Sequence, residues 1–278
     1  MPQPAQPPPI QASDSPELRS ALMLPGRFRP YVMAHRGNQV TCPENTLAAF
    51  HRAIAEGADI LETDLHLSSD DVFVCIHDAT VDRTTDGHGP VAAMTMAEIK
   101  ALSAAQGHPQ FVEEQVPTLS ELVEIIPQDV GLALELKTDR FLEPEVGRQL
   151  VAELEEGQIR QRTVALSFSL PRLLAVQAVA PDMPIGWITL SRPWPLREVQ
   201  MLGPLWPLLL LNPLYVWLAH IRNQMVCPLD PKPDARLGLY RRIGCDAVLS
   251  DNPGATIEAL QKPRAQPEGL KGLRDGTH

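Results

Sequence analysis

The sequence predicts a single α/β barrel, and three observations predict it. Short apolar runs alternate along the chain with helix-like stretches, the pattern of parallel strands joined by crossovers. Polar residues able to do chemistry gather at the ends of those runs, where a barrel keeps its sites. The 278 residues are enough to bury one large core, and no internal repeat divides them.

Strand-like runs fall at residues 31–34, 60–67, 72–76, 132–136, 163–168, 185–190, 208–211, 226–229 and 247–250. That is one more than an eight-stranded barrel needs. Helix-like stretches cover 46–56, 117–126, 144–156, 170–179 and 234–243, several of them opening on Ser, Thr, Asp or Pro. Residues 1–29 form a proline-rich leader without the basic and apolar regions of a signal peptide, and they are expected to be disordered. Residues 30–260 form the barrel domain, and the polar stretch 261–278 is expected to be a disordered tail.

A formal charge of -10 and the lack of a basic stripe exclude a nucleic-acid backbone as partner. Cys42, Cys75, Cys227 and Cys245 have neither Cys-x-x-Cys spacing nor the density of a disulfide scaffold. A reducing compartment follows, with the cytoplasm as the expectation. Oligomeric state is not legible.

Strand periodicity organises the polar residues. In Ile60-Leu61-Glu62-Thr63-Asp64-Leu65 a period of two puts Glu62 and Asp64 on one face, and in Leu134-Glu135-Leu136-Lys137 it puts Glu135 with Lys137. His35 and Arg36 end the first strand, and His77 ends the third. Three carboxylates from two strands point to a hard divalent cation, Mg²⁺ or Ca²⁺, held by Glu62, Asp64 and Glu135; no His/Cys set suits zinc. With Arg36 and Lys137 holding phosphoryl oxygens and His35 and His77 moving protons, the set is equipped for phosphodiester cleavage. His35 as base and His77 as acid is the working assignment; an imidazole titrating near pH 6.5 serves either role. Each piece alone has a plain alternative, such as a surface ion pair or a solvated strand face, and their joint occurrence carries the argument.

The motifs His35-Arg36-Gly37, Pro43-Glu44-Asn45-Thr46, Glu62-Thr63-Asp64, His77-Asp78, Arg83-Thr84-Thr85, Pro117-Thr118-Leu119, Glu135-Leu136-Lys137, Ser167-Phe168, and Gly244-Cys245-Asp246 with Ser250-Asp251-Asn252-Pro253 follow one another along the chain. In these residues and their order the chain resembles the glycerophosphodiester phosphodiesterase family. The resemblance implies a TIM barrel with a small insertion after the third strand. It also implies a metal-dependent hydrolase that splits glycerophosphodiesters into sn-glycerol 3-phosphate and an alcohol. By it His35 and His77 are the acid-base pair, Glu62, Asp64 and Glu135 bind Mg²⁺ or Ca²⁺, Arg36 and Lys137 contact phosphate, and Glu44 and Asn45, grouped with them as substrate- and phosphate-binding residues, support the site from the first loop. The substrate is then a small glycerophosphodiester or a lysophospholipid.

One departure bears on the alcohol. Where the family has Trp-Thr-Val-Asn, this chain has Val226-Cys227-Pro228-Leu229-Asp230, so an aromatic wall is absent or is supplied by Trp187, Trp194 or Trp217. The longest apolar run, bounded by Leu202 and Leu218, contains Pro204, Pro207 and Pro213, which rules out a spanning helix. It reads as a buried strand followed by a helix start. The alternative is an apolar surface making peripheral membrane contact, which suits a lysophospholipase D-like enzyme. From another class, a catalytically silent barrel binding a phosphorylated ligand is also compatible with the residues.

Overall fold

Eight parallel strands build the frame of this computed structural model, which describes residues 22, 24, 26–105 and 107–262. The strands are β1 (Tyr31–His35), β2 (Ile60–Leu67), β4 (Gly131–Leu136), β5 (Thr163–Ser167), β6 (Ile185–Thr189), β7 (Met201–Pro204), β8 (Met225–Val226) and β9 (Ala247–Ser250). They run in the order β8-β7-β6-β5-β4-β2-β1-β9. The expected TIM barrel is therefore present, nearly closed between β8 and β9. The odd-numbered amides around β8 donate to β7, as Cys227 N does to Leu202 O, so the even-numbered ones must close the seam. Val226 N is taken by the Asp246 carboxylate at 2.8 Å and Pro228 has no N–H at all. Asp246 N on Val226 O and Asp251 N on Pro231 O hold the two edges together.

The ninth strand-like run is β3 (Phe73–Cys75), and it explains the surplus. It pairs antiparallel with β2 through Leu65↔Cys75 and Leu67↔Phe73. Pairing of β1 with β2 ends at His35↔Glu62, so β3 takes the edge of β2 that β1 leaves open. Running back toward the barrel, it delivers His77 to the mouth. The insertion follows, with α2 (Met96–Lys100) and its own small core of Val74, Ile76, Val81, Val91 and Ile99.

Alternation along the strands separates two apolar layers. Leu61, Leu65, Leu132, Leu134 and Leu136 face outward against the helices, among them α1 (Leu47–Ala55), α3 (Leu119–Ile125), α4 (Pro144–Glu156) and α5 (Leu170–Val179). Met33, Ile60, Ala133, Val164, Met201 and Leu249 fill the lumen. Helix starts follow local chemistry: the Thr46 hydroxyl accepts from Ala49 N, and Thr118 with Glu121 forms a capping box.

Two expectations are corrected. The barrel strand after β6 is Met201–Pro204, not 208–211, which is instead the helix α6 (Pro207–Leu211), followed by α7 (Tyr215–His220). Pro207 at a first helical position and a densely apolar run favour a short helix over a strand here. Leu210 and Leu211 on α6, Trp217 on α7 and Leu214 between them are exposed rather than buried. The leader expected over 1–29 lies mostly outside the described residues, but Leu22 and Leu24 pack into the lumen core under the barrel, and Arg27 pairs with Asp59 and Asp129. Apolar side chains in a proline-rich stretch cap the floor of the lumen, which the strands alone leave open. Of the tail expected over 261–278, residues 263–278 lie outside the described residues. The chain ends its described part on α8 (Leu237–Ile243), β9 and α9 (Pro253–Gln261).

Leu24→Ala removes a nearly inaccessible side chain from this floor and is expected to lower unfolding free energy by about 2–5 kcal/mol in denaturant titration. An unchanged midpoint would mean that the segment does not pack as described.

Candidate active site

Glu62, Asp64 and Glu135 converge inside the mouth of the barrel. The period of two that placed Glu62 and Asp64 with the lumen residue Ile60, and Glu135 with Ala133, holds in the structure. β2 and β4 align them in register, Asp64 opposite Glu135. One ligand oxygen from each lies within 4.8 Å of the others, and all three residues are buried, with exposures of 3%, 0% and 9%. Burial and the Asp64 charge push the Glu62 carboxyl up to about 8, and the same two influences raise Glu135. Asp64 Oδ1 is buried without a hydrogen-bond donor. A buried carboxylate oxygen that makes no hydrogen bond, set among mutually repelling carboxylates, fits an oxygen-ligated divalent cation.

The first loop brings cations and an amide to this cluster. Arg36 and Asn45 both hold left-handed backbone angles, φ 56° and 54°. In that conformation Arg36 N donates to Glu62 Oε2 at 3.0 Å, and the Asn45 amide donates to Asp64 Oδ2 at 3.0 Å while accepting from the Thr63 hydroxyl. The Arg36 guanidinium reaches Asp64 Oδ2 at 3.1 Å and Glu44 Oε1 at 3.0 Å. Lys137 Nζ lies 2.9 Å from Glu135 and 3.4 Å from Asp64 Oδ1. Glu44 is occupied twice over, since Arg83 also grips it with both terminal nitrogens at 2.8 Å. Glu44 and Asn45, placed at the phosphate by sequence, here hold Arg36, Arg83 and Asp64.

The two histidines are each backed by a carboxylate. His35 Nδ1 lies 2.8 Å from Asp251 Oδ1, at the end of β9, and His77 Nδ1 lies 2.6 Å from Asp78 Oδ1. Burial lowers the His35 pKa, but the Asp251 hydrogen bond and the Glu62 charge outweigh it and raise the value overall. Arg83, donating to Asp78 at 2.7 Å, keeps that carboxyl well below its ordinary range against a partial burial cost, with His77 helping. An Nδ1 proton shared with a carboxylate leaves Nε2 as the nitrogen free to exchange protons. Gln39 donates to both Asp251 and the His35 carbonyl, fixing the pair. His66, on the same face of β2, contacts the His77 carbonyl at 3.2 Å.

A cleft opens between His35, Glu62 and Glu135 on one side and Leu166, Ile188, Gly203, Pro228 and Leu229 on the other. None of the tryptophans lines it. Trp187 lies under Arg192 and Trp206 under Arg236, while Trp194 and Trp217 are exposed, so the wall that would carry an aromatic side chain is aliphatic. Sequence reasoning missed three supports. Asp251 and Arg83 match the family motifs without an assigned role, and Gln39 carries no signal of its own. The sequence signal for Asp251 is its place one residue beyond the last strand, which barrel closure sets beside β1.

Comparison with known proteins gives a consistent answer. The glycerophosphoryl diester phosphodiesterase family model matches residues 35–255. The chain is 34% identical over 245 residues to a glycerophosphodiester phosphodiesterase of Caldanaerobacter subterraneus, covering 84% of this chain and 99% of that protein. Its fold resembles an Oleispira antarctica phosphodiesterase solved in complex with the product sn-glycerol-3-phosphate, with a TM-score of 0.74, 29% identity, and 84% and 97% of the two chains covered. It likewise resembles a glycerophosphodiester phosphodiesterase from Agrobacterium tumefaciens, with a TM-score of 0.70, 26% identity, and 82% and 99% covered.

The raised carboxyl groups make a prediction about the metal-free protein. Protons bound more tightly in the folded than in the unfolded chain make stability fall as pH rises from the ordinary carboxylate range to about 8. Glu62→Gln removes that penalty, so the metal-free variant should melt higher than the parent at pH 8, with the gap narrowing toward pH 4.5 in a calorimetric series. A variant that melts lower at pH 8 would show that the carboxylates do not repel one another.

Proposed function

The chain belongs to the glycerophosphoryl diester phosphodiesterase family, and from that premise we propose that it hydrolyses glycerophosphodiesters to sn-glycerol 3-phosphate and an alcohol, with His35 and His77 as the proton-transfer pair and Glu62, Asp64 and Glu135 as ligands of a divalent cation. The single observation that carries the residue assignment is the convergence of three buried carboxylates between two carboxylate-backed imidazoles. The product bound to the Oleispira relative supports the substrate class.

In this reading the phosphodiester sits at the mouth, with Arg36 and Lys137 on its non-bridging oxygens; both cations already border the carboxylates. A cation such as Mg²⁺ or Ca²⁺, when bound by the three carboxylates, neutralises phosphoryl charge and polarises the phosphorus-oxygen bond. His35, with Asp251 holding its Nδ1 proton, removes a proton from the attacking oxygen through Nε2. His77, backed by Asp78 and reached from the insertion side, protonates the departing alkoxide. Glu44 and Asn45 act through Arg36 and Asp64 rather than on the phosphate. The reducing-compartment reading agrees with four buried, unbridged cysteines, and cytoplasmic placement stays part of this proposal.

His35→Ala, His77→Ala and Glu62→Gln are each expected to lower glycerophosphocholine hydrolysis by about 10² to 10⁴-fold, measured as release of sn-glycerol 3-phosphate. Chelation should abolish the activity and added Mg²⁺ or Ca²⁺ should restore it; three variants with parental turnover would refute the site. Asp251→Asn supplies a second check, on the pH profile. Because Asp251 helps raise the His35 pKa, the acid limb of kcat/KM should move to lower pH in the variant, whereas loss of activity at unchanged limb position would assign Asp251 a purely structural part.

A further inference from the structure

The connection between β6 and β7 has no helix. Residues 190–200 cross the outside of the barrel as an irregular segment containing Pro193 and Pro195, and the short helices α6 and α7 lie beyond it. Hydrogen bonds join these pieces into one surface: Asn212 donates to Pro193 O at 2.8 Å, and Arg222 to Pro195 O at 3.0 Å. On that surface Trp194, Leu210, Leu211, Leu214, Trp217 and Ile221 are exposed, Leu211 at 74% and Trp217 at 57%. With Leu190 they make seven of the thirteen large apolar side chains exposed among the described residues, gathered within 32 residues. Scattered exposure is ordinary, but a concentration of this kind marks a contact surface.

Charge selects the occupant. In a chain with a formal charge of -10, the exposed charged residues of segment 190–222 are Arg192, Arg197 and Arg222 against Glu198. A second copy of the chain, docked face to face about a twofold axis, would set these arginines against their own counterparts. An anionic lipid surface attracts them, while exposed Trp and Leu side chains enter the interfacial region. No helix of the described residues is long and apolar enough to cross a membrane, so contact of this kind is peripheral. The face also adjoins the cleft. Ile188 and Gly203 line the cleft from β6 and β7, and the segments carrying the face leave the C-terminal ends of those same strands.

We propose that the surface formed by 190–200, α6 and α7 docks on anionic lipid bilayers and brings the mouth of the barrel to lysoglycerophospholipids held in them. The aliphatic wall of Leu166, Ile188, Pro228 and Leu229 suits a substrate whose glycerol carries an acyl chain as well as the phosphodiester. The lipid-substrate half of the proposal rests on the diesterase reading above; the docking half does not.

The test separates the two. Full-length protein is sedimented with vesicles of phosphatidylcholine alone or of phosphatidylcholine with phosphatidylglycerol. Binding is expected to the second kind, and to weaken as salt is added. The triple variant Trp194→Ser, Leu211→Ser, Trp217→Ser should bind about tenfold or more weakly, and Arg192→Glu with Arg197→Glu should lose the preference for phosphatidylglycerol. Both should keep parental turnover of soluble glycerophosphocholine, which also shows that they fold, and both should lose turnover of lysophosphatidylcholine carried in anionic vesicles. Parental protein left in the supernatant with both vesicles, or variants that bind like the parent, would overturn the docking surface. A dimer in gel filtration that the triple variant converts to monomer would overturn it too, assigning the face to self-association. Failure of glycerophosphocholine turnover with vesicle binding intact would refute the diesterase reading alone.

Discussion

Three carboxylates held together inside a barrel set the terms for everything around them. Charges of one sign so close and so far from water repel, and the raised carboxyl groups of Glu62 and Glu135 record that repulsion. The surroundings answer with donors and cations: the Arg36 backbone amide donates to Glu62, the Asn45 amide to Asp64 and Lys137 to Glu135, while the Arg36 guanidinium forms an ion pair with Asp64. They stop short of full compensation, because Asp64 Oδ1 makes no hydrogen bond and meets only the Lys137 ammonium, at 3.4 Å. A cluster selected only for stability would have closed that gap with another hydrogen bond or replaced the acid with an apolar side chain. The residual imbalance is the property that suits a cation.

Holding donors so close requires a loop that folds sharply back on its own strand. Arg36, Gly37 and Asn45 all have positive φ, and a Cβ at Gly37 would meet the backbone of Ala49 at 2.6 Å. The loop therefore packs its backbone directly on α1, and the left-handed Arg36 aims its amide at Glu62. Strain of this kind persists where neighbouring contacts over-determine it. Glu44 supplies one such contact, joined at once to Arg36 and Arg83.

Legibility in the sequence followed the range of the interaction. The faces of β2 and β4 were readable because alternation is local: two residues of spacing fix two directions, and Glu62, Asp64 and Glu135 landed where the period put them. The boundaries of β2 and β9 came out at 60–67 and 247–250 for the same reason. The seventh strand was not readable, because the four leucines of 208–211 look more strand-like than Met201–Pro204 until burial by both neighbours is known. Leu22 and Leu24 were hidden by the prolines around them, and only the open floor of a closed sheet gives them somewhere to pack. Asp251 lies 216 positions from His35, so its part depended on knowing that the sheet curls until β9 meets β1.

The two histidines reach the mouth by different physical routes, and the difference orders the site. His35 stands on the barrel frame, between β1 and the end of β9, and its position is fixed by the same hydrogen bonds that make the sheet. His77 arrives from an antiparallel strand and an insertion with a separate core, and its side chain is twice as exposed, 32% against 16%. Beside the backbone pairing of β3 with β2, a run of ion pairs joins the insertion to the barrel at this point: Asp78 to Arg83, Arg83 to Glu44, Glu44 to Arg36, Arg36 to Asp64. That chain of contacts begins at the partner of one imidazole and ends on a carboxylate of the cluster. The geometry of the more exposed histidine is thus referred back to the buried acids, and Glu44, gripped by Arg36 from the barrel and by Arg83 from the insertion, is where the two cores meet in one site.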